Sequence, residues 1–142
     1  MIERTFAMVK PEAVQRGLIG KIISRFEDKC FKLLALKVIN VSQKQAEKLY
    51  EVHKGKPFYD SLISYVQSGP VVAMVLERDN AVEMVRKMIG ETDPLEADSG
   101  TIRGDFGNSI DHNVIHAADS LENAERELKI FFIPEEIIKK TS

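Results

Sequence analysis

Three short apolar runs, separated by stretches of helical period, limit what this 142-residue chain can become. TFAMV (5–9), FKLLALKVIN (31–40) and PVVAMVLE (70–77) suit strands in composition, and each is too short to cross a membrane. Pro11 follows the first run and suits the opening turn of a helix, where its missing N–H has no intrahelical partner to lose. Ile19, Ile22, Ile23 and Phe26 recur at three- and four-residue spacing, which predicts one helix running to about Lys29. Ser42 and Gln45 form a capping box that opens SQKQAEKLYEVH. KGKP (54–57) interrupts it, and another short helix is predicted near 58–67. NAVEMVRKMIG (80–90) is helical in period, with Gly90 as its C-terminal stop.

From 91 to 111 periodicity fades among glycines and acids, so this stretch reads as a long functional loop. In NVIHAADS (113–120), Val114 and Ile115 favour a short strand that ends near His116. Asp119 and Glu122 then offer a capping box for a last helix whose stripe is Leu121, Ala124, Leu128 and Phe131. Single strands alternating with helices point to an α+β or α/β sandwich, helices packed on a sheet. The length fits one domain over 1–142, with 134–142 as a C-terminal tail, burying about two thirds of its unfolded surface. The apolar neighbours of Cys30, the single cysteine, predict a packed thiol. MIERTFAMVK carries charge beside a short apolar run and does not read as a signal peptide, so a cytoplasmic protein with no membrane partner is expected.

The 22 acidic and 20 basic residues leave a formal charge of −2, which supplies no general attraction to nucleic acid. Any phosphate site is therefore local. Candidates are Lys10 just past the first strand, Arg86 on a helix and Arg103 in TIRGDF; arginine offers a planar fork for phosphate and lysine a compact charge. Phe58, after Lys56-Pro57, is placed to be core or to stack on a base. His112 and His116 stand four apart, but along a strand that is ~13 Å, too far to share a metal. His116 reads equally as a structural or a catalytic histidine, and His53 as a solvated helix-end residue. DFG (105–107) stands in a chain too short for the protein-kinase fold, with no HRD and no upstream Gly-rich loop, and reads as a turn. GLIGK (17–21) lacks the outer residues of a P-loop, whereas GLIG fits the GXXG loop of a KH nucleic-acid module, the main non-enzyme alternative.

AMVKPEAVQRGLIG, KPFY, SGPVVAMV, IGETDP, GTIRGDFG and NVIHAADS stand in the order found in nucleoside diphosphate kinases, and over roughly residues 3–134 the chain resembles that family. The resemblance outweighs the KH reading and implies a ferredoxin-like α+β sandwich, a four-stranded antiparallel sheet covered by helices. It implies transfer of the γ-phosphate of a nucleoside triphosphate to a nucleoside diphosphate through a phosphohistidine, in ping-pong fashion. His116 matches the histidine that carries phosphate, and Glu127 the carboxylate that orients it; helical spacing alone would allow Glu125 nearly as well. Lys10, Tyr50, Arg86, Thr92, Arg103 and Asn113 match residues that hold phosphates and sugar, and Phe58 and Ile110 the apolar contacts to the base. Mg²⁺ carried mainly on the nucleotide phosphates is implied, with no dedicated protein metal site. So is a homo-oligomer, a hexamer in preference to a tetramer, and nucleic acid is not an expected partner. Three positions depart from the family pattern: Ala117 for glycine, Ala118 for a serine that supports the histidine–glutamate pair, and Ser99 for the proline before GTIRGD.

Overall fold

Strand β1 (Ile2–Val9) holds the sheet together, because it alone has to pair on one side with an early strand and on the other with a late one. The computed structural model describes residues 1–110 and 112–139. Its sheet runs β2-β3-β1-β4, with β2 at Lys32–Ile39, β3 at Val71–Asp79 and β4 at Ile115–Ala117, and every adjacent pair is antiparallel. This is the four-stranded antiparallel sheet of a ferredoxin-like sandwich. Of the two sheet types that alternating elements left open, the antiparallel one is correct.

Alternation along β1 explains why TFAMV is apolar without interruption. Phe6 and Met8 point to one face, Ala7 and Val9 to the other, and both faces are covered. On the first face lie α3 (Gln43–Leu49), α4 (Tyr59–Val66) and α7 (Leu121–Phe131), which contribute Ala46, Leu49, Ile63, Val66, Leu128 and Phe131. On the second lie α1 (Pro11–Gln15), α2 (Ile19–Asp28), α5 (Ala81–Ile89) and α6 (Ile102–Phe106), with Ala13, Ile22, Phe26, Val85, Ile89 and Ile102. Ser42 caps α3 with the full reciprocal box, and Gly90 ends α5 at φ 85°, a conformation that favours glycine.

Several sequence expectations are corrected. The helix expected over 11–29 breaks at Gly17, which sits at φ 74°, so that α1 and α2 are separate. Cys30 is exposed, not packed; it carries the left-handed residue (φ 65°) that turns the chain out of α2. The stretch expected as loop contains α6, capped by the Thr101 hydroxyl, so DFG completes and leaves a helical turn. The last helix is capped by Ser120, which accepts from the Asn123 N–H, while the Asp119 carboxylate bonds the Asn123 side chain. Leu121 is thereby turned outward, and the buried stripe starts at Ala124. At the start of the expected tail, Pro134–Glu136 form a 3-10 turn, Ile137 is buried and the Ile138 N–H donates to the Leu34 carbonyl. Residues 140–142 of that tail, and Asp111 at the end of the expected loop, lie outside the described residues.

Candidate active site

His116 is the middle residue of β4 and pairs across the ladder with Met8, so its ring falls on the face covered by α3, α4 and α7. There its Nε2 lies 2.7 Å from Glu127 Oε1, on the inward side of α7. An ionised carboxylate can only accept, so Nε2 donates, and the Nδ1 lone pair remains available. Phe6 and Tyr50 pack against the ring at 6.1 and 6.3 Å between centroids. Burial pushes the Tyr50 phenol up, with the Glu127 charge adding to it, so the hydroxyl stays protonated and able to donate. Periodicity left Glu125 and Glu127 open, and the two diverge: Glu125 forms a two-pronged pair with Arg4 at 2.8 and 2.9 Å.

The cavity that His116 lines also gathers cations. Lys10 directly follows β1, donates its backbone N–H to the Val114 carbonyl and points Nζ at Asn113 Oδ1, 2.7 Å away. Asn113 in turn donates to the Thr92 carbonyl at 3.0 Å, tying the segment after α5 to the start of β4. Arg103, on α6, is buried; Nη1 and Nη2 donate to the carbonyls of Gly90 and Ile115, while Nε has no partner. Burial first, and then the neighbouring Arg86 charge, press the Arg103 guanidinium down to about 10. A cation desolvated beside another cation, with an N–H group unsatisfied, is a group arranged for an anion.

One backbone feature here escaped the sequence reading. Val114 was expected in a strand, yet it sits at φ 81°, a strained conformation for a β-branched residue, and β4 begins only at Ile115. The turn lets the Val114 carbonyl meet Lys10 while Asn113 and His116 both face the cavity.

All ten candidates, His116, Glu127, Lys10, Tyr50, Phe58, Arg86, Thr92, Arg103, Ile110 and Asn113, line one cavity of about 730 Å³. Phe58 and Ile110 stand at its rim, 46% and 57% exposed. His53, expected to be solvated, is half-buried and lines the same cavity. Its ring meets Phe58 edge-on at 5.2 Å, its Nδ1 is buried without a partner, and burial and Lys56 lower its pKa. Arg126 is a further lining residue that sequence reasoning missed, since no spacing rule links positions on different elements; Asp119 and His112, weighed above only as a helix cap and a metal ligand, also line the cavity. Gly17 and Gly20 of GLIG are not among the lining residues.

Residues 3–137 match the family model for nucleoside diphosphate kinase. The chain belongs to the nucleoside diphosphate kinase family. It is 58% identical over 137 residues to the nucleoside diphosphate kinase of Thermosipho africanus, covering 96% of this chain and 93% of that one. With the enzyme of Methanocaldococcus jannaschii it shares 56% over 140 residues, covering 99% and 100%. Among solved structures, it superposes on the halophilic enzyme of Halobacterium salinarum in complex with CDP with a TM-score of 0.96 at 44% identity, covering 100% of this chain and 95% of that one. The apo enzyme from Encephalitozoon cuniculi gives 0.94 at 42%, covering 97% and 94%. The GXXG reading is thereby set aside, and this nucleoside diphosphate kinase is a phosphotransferase of nucleotide metabolism.

Proposed function

We propose that His116 Nδ1 is the phosphate carrier of this nucleoside diphosphate kinase and that the other nine candidates hold the nucleotide or the histidine. The observation that carries the reading is the 2.7 Å contact between Nε2 and Glu127 inside a cavity ringed by Lys10, Arg86 and Arg103. In the forward half-reaction the Nδ1 lone pair attacks the γ-phosphorus in line, an N–P bond forms, and the bond to the β–γ bridging oxygen breaks. The nucleoside diphosphate leaves with that oxygen, while the Nε2 proton stays against Glu127, which offsets the charge gained by the ring. A terminal β-phosphate oxygen of a second nucleoside diphosphate then attacks the same phosphorus, and the ring is released unchanged. Lys10, Arg86 and Arg103 position the phosphates and balance the negative charge on the transferring group, where most of the catalytic work lies. Tyr50, Thr92 and Asn113 fix phosphate and sugar, and Phe58 and Ile110 hold the base between apolar surfaces that accept any base.

Mg²⁺ fits this donor set as an ion carried on the nucleotide. Asp119 is one lining carboxylate, and among the described residues no group of three His, Cys, Asp or Glu is placed to hold a metal alone. When bound, the ion would neutralise phosphate charge. Among the described residues no helix is long and apolar enough to cross a membrane. A cytoplasmic site of action and a homo-hexamer complete the reading. Leu36 and Val38, exposed on the edge strand β2, support self-association.

Incubation with ATP and Mg²⁺ is expected to add one acid-labile phosphate to His116, which GDP then removes. Intact mass and peptide mapping read this out, and His116→Ala is expected to abolish both the adduct and turnover of ATP with dTDP. An acid-stable phosphate, or one mapped to Thr92 or Ser120, would refute the mechanism.

A further inference from the structure

Glu127 raises a problem of its own. The carboxylate is 5% exposed and spends one oxygen on His116, so the second oxygen needs a partner inside the protein. Ala118 is the residue from which such a partner would come locally. Its N–H donates to the Phe6 carbonyl, which extends the β1–β4 ladder by one residue, and residues two apart on a strand share a face, so its Cβ lies on the His116 side. Alanine has no donor to offer. The partner comes instead from the preceding position on α7: Arg126 Nη2 lies 3.5 Å from Glu127 Oε2.

The guanidinium is not a loose surface charge. Nη1 donates to the Lys48 carbonyl at the end of α3 at 2.8 Å, and Nε reaches Asn123 Oδ1 at 3.4 Å. The fork is thus fixed from behind, with its remaining edge toward the carboxylate. We propose that Arg126 is a positioning residue for phosphoryl transfer, acting through Glu127 in place of a hydroxyl at position 118. By holding Oε2 it fixes the carboxylate rotamer that keeps Oε1 on His116 Nε2. It thereby keeps the lone pair on Nδ1 and aims it into the cavity. Arg126 also lines that cavity, so direct contact with the nucleotide is the competing role, and the two roles leave different kinetic marks.

The inference rests on His116 being the phosphate carrier, and its test separates the two. Single-turnover phosphorylation by ATP and Mg²⁺ is followed against ATP concentration in the parent protein, Arg126→Met, Ala118→Ser and the double variant. Arg126→Met is expected to lower the maximal rate about tenfold, with half-saturation changed by less than about twofold. Adding Ala118→Ser is expected to bring the double variant back to within about threefold of the parent, while in the parent background the same change gains less than about twofold. Recovery by a hydroxyl separates a local defect from a misfolded helix. An unchanged rate in Arg126→Met, a rise in half-saturation with the maximal rate kept, or a double variant no faster than Arg126→Met would each overturn the proposal. Phosphate found on a residue other than His116 in the parent counts against the carrier reading itself, whatever Arg126 does.

Discussion

The two ends of the cavity are built on opposite principles. At the end proposed to hold the phosphates, Lys10, Asn113, Arg103 and Glu127 are all buried, and each is held by a protein partner. At the end proposed to hold the base, Phe58 and Ile110 are exposed, and Phe58 is steadied by a ring contact with His53. Chemistry that must bring a phosphorus and a nitrogen into line needs preorganised charge, because reorganising it during the reaction would cost the rate. Recognition of any base needs only a flat apolar surface, so rigidity there would bring no advantage. On the proposed reading, a site of this kind is strict about the phosphate and indifferent to the base.

The sharpest way to break that comparison is to remove charge from the strict end. Lys10→Met keeps the backbone bond to Val114 but deletes the ammonium group. It is expected to slow single-turnover phosphorylation of His116 by about a hundredfold, the usual cost of one preorganised donor. A loss below fivefold would mean that Lys10 only braces Asn113. At the permissive end the expected loss is smaller and of a different kind. Phe58→Ala should raise KM about five- to tenfold for ADP, GDP, CDP and dTDP alike, as expected for loss of a stacking surface, with kcat nearly unchanged. Steady-state kinetics with the four diphosphates check this, and a loss confined to one base would show that the rim reads base identity.

The smallest expected effect belongs to Glu125, a control for the neighbouring Glu127. Glu125→Gln breaks the pair with Arg4, whose two partners are 35% and 41% exposed. It is expected to cost about 0.5 kcal/mol at pH 7 and to leave phosphorylation unchanged. The hydrogen bond from Arg4 holds the Glu125 carboxyl below its ordinary value of 4.5. A carboxyl lowered in the folded state stabilises above its unfolded value, and that contribution is lost as pH falls through the folded one. Urea unfolding should therefore separate the two proteins at pH 7 and bring them together as the pH falls through the lowered folded-state value.

The same contrast explains how much could be read from the sequence. The strands and most helices were legible because apolar spacing and caps such as Ser42 and Gln45 act locally. Lys10, Asn113, Arg103 and Glu127 were named as candidates through family resemblance, and they line one cavity; their mutual geometry was not legible, since they come from four separate segments. Helix α6 escaped because one turn capped by Thr101 leaves no period to detect. Val114 misled because a β-branched residue argues for a strand, whereas the turn beside Lys10 imposes a positive φ on it. Cys30 misled in the opposite sense, its apolar neighbours Phe31 and Phe26 being buried while the turn carries the thiol outward. His53 and Arg126 carried no local signal at all.

Strand order has a consequence for how the protein is made. β1 leaves the ribosome first, yet one of its two edges waits for β4, more than a hundred residues later. Until then the nascent chain has a sheet with an open side, and His116, Glu127 and Arg126 have not been joined to Lys10. Closing the loop between segments so far apart is the slow, non-local step of folding for such a topology. On the proposed reading phosphoryl transfer therefore waits for the C-terminal segments, since β4 and α7 bring both His116 and Glu127.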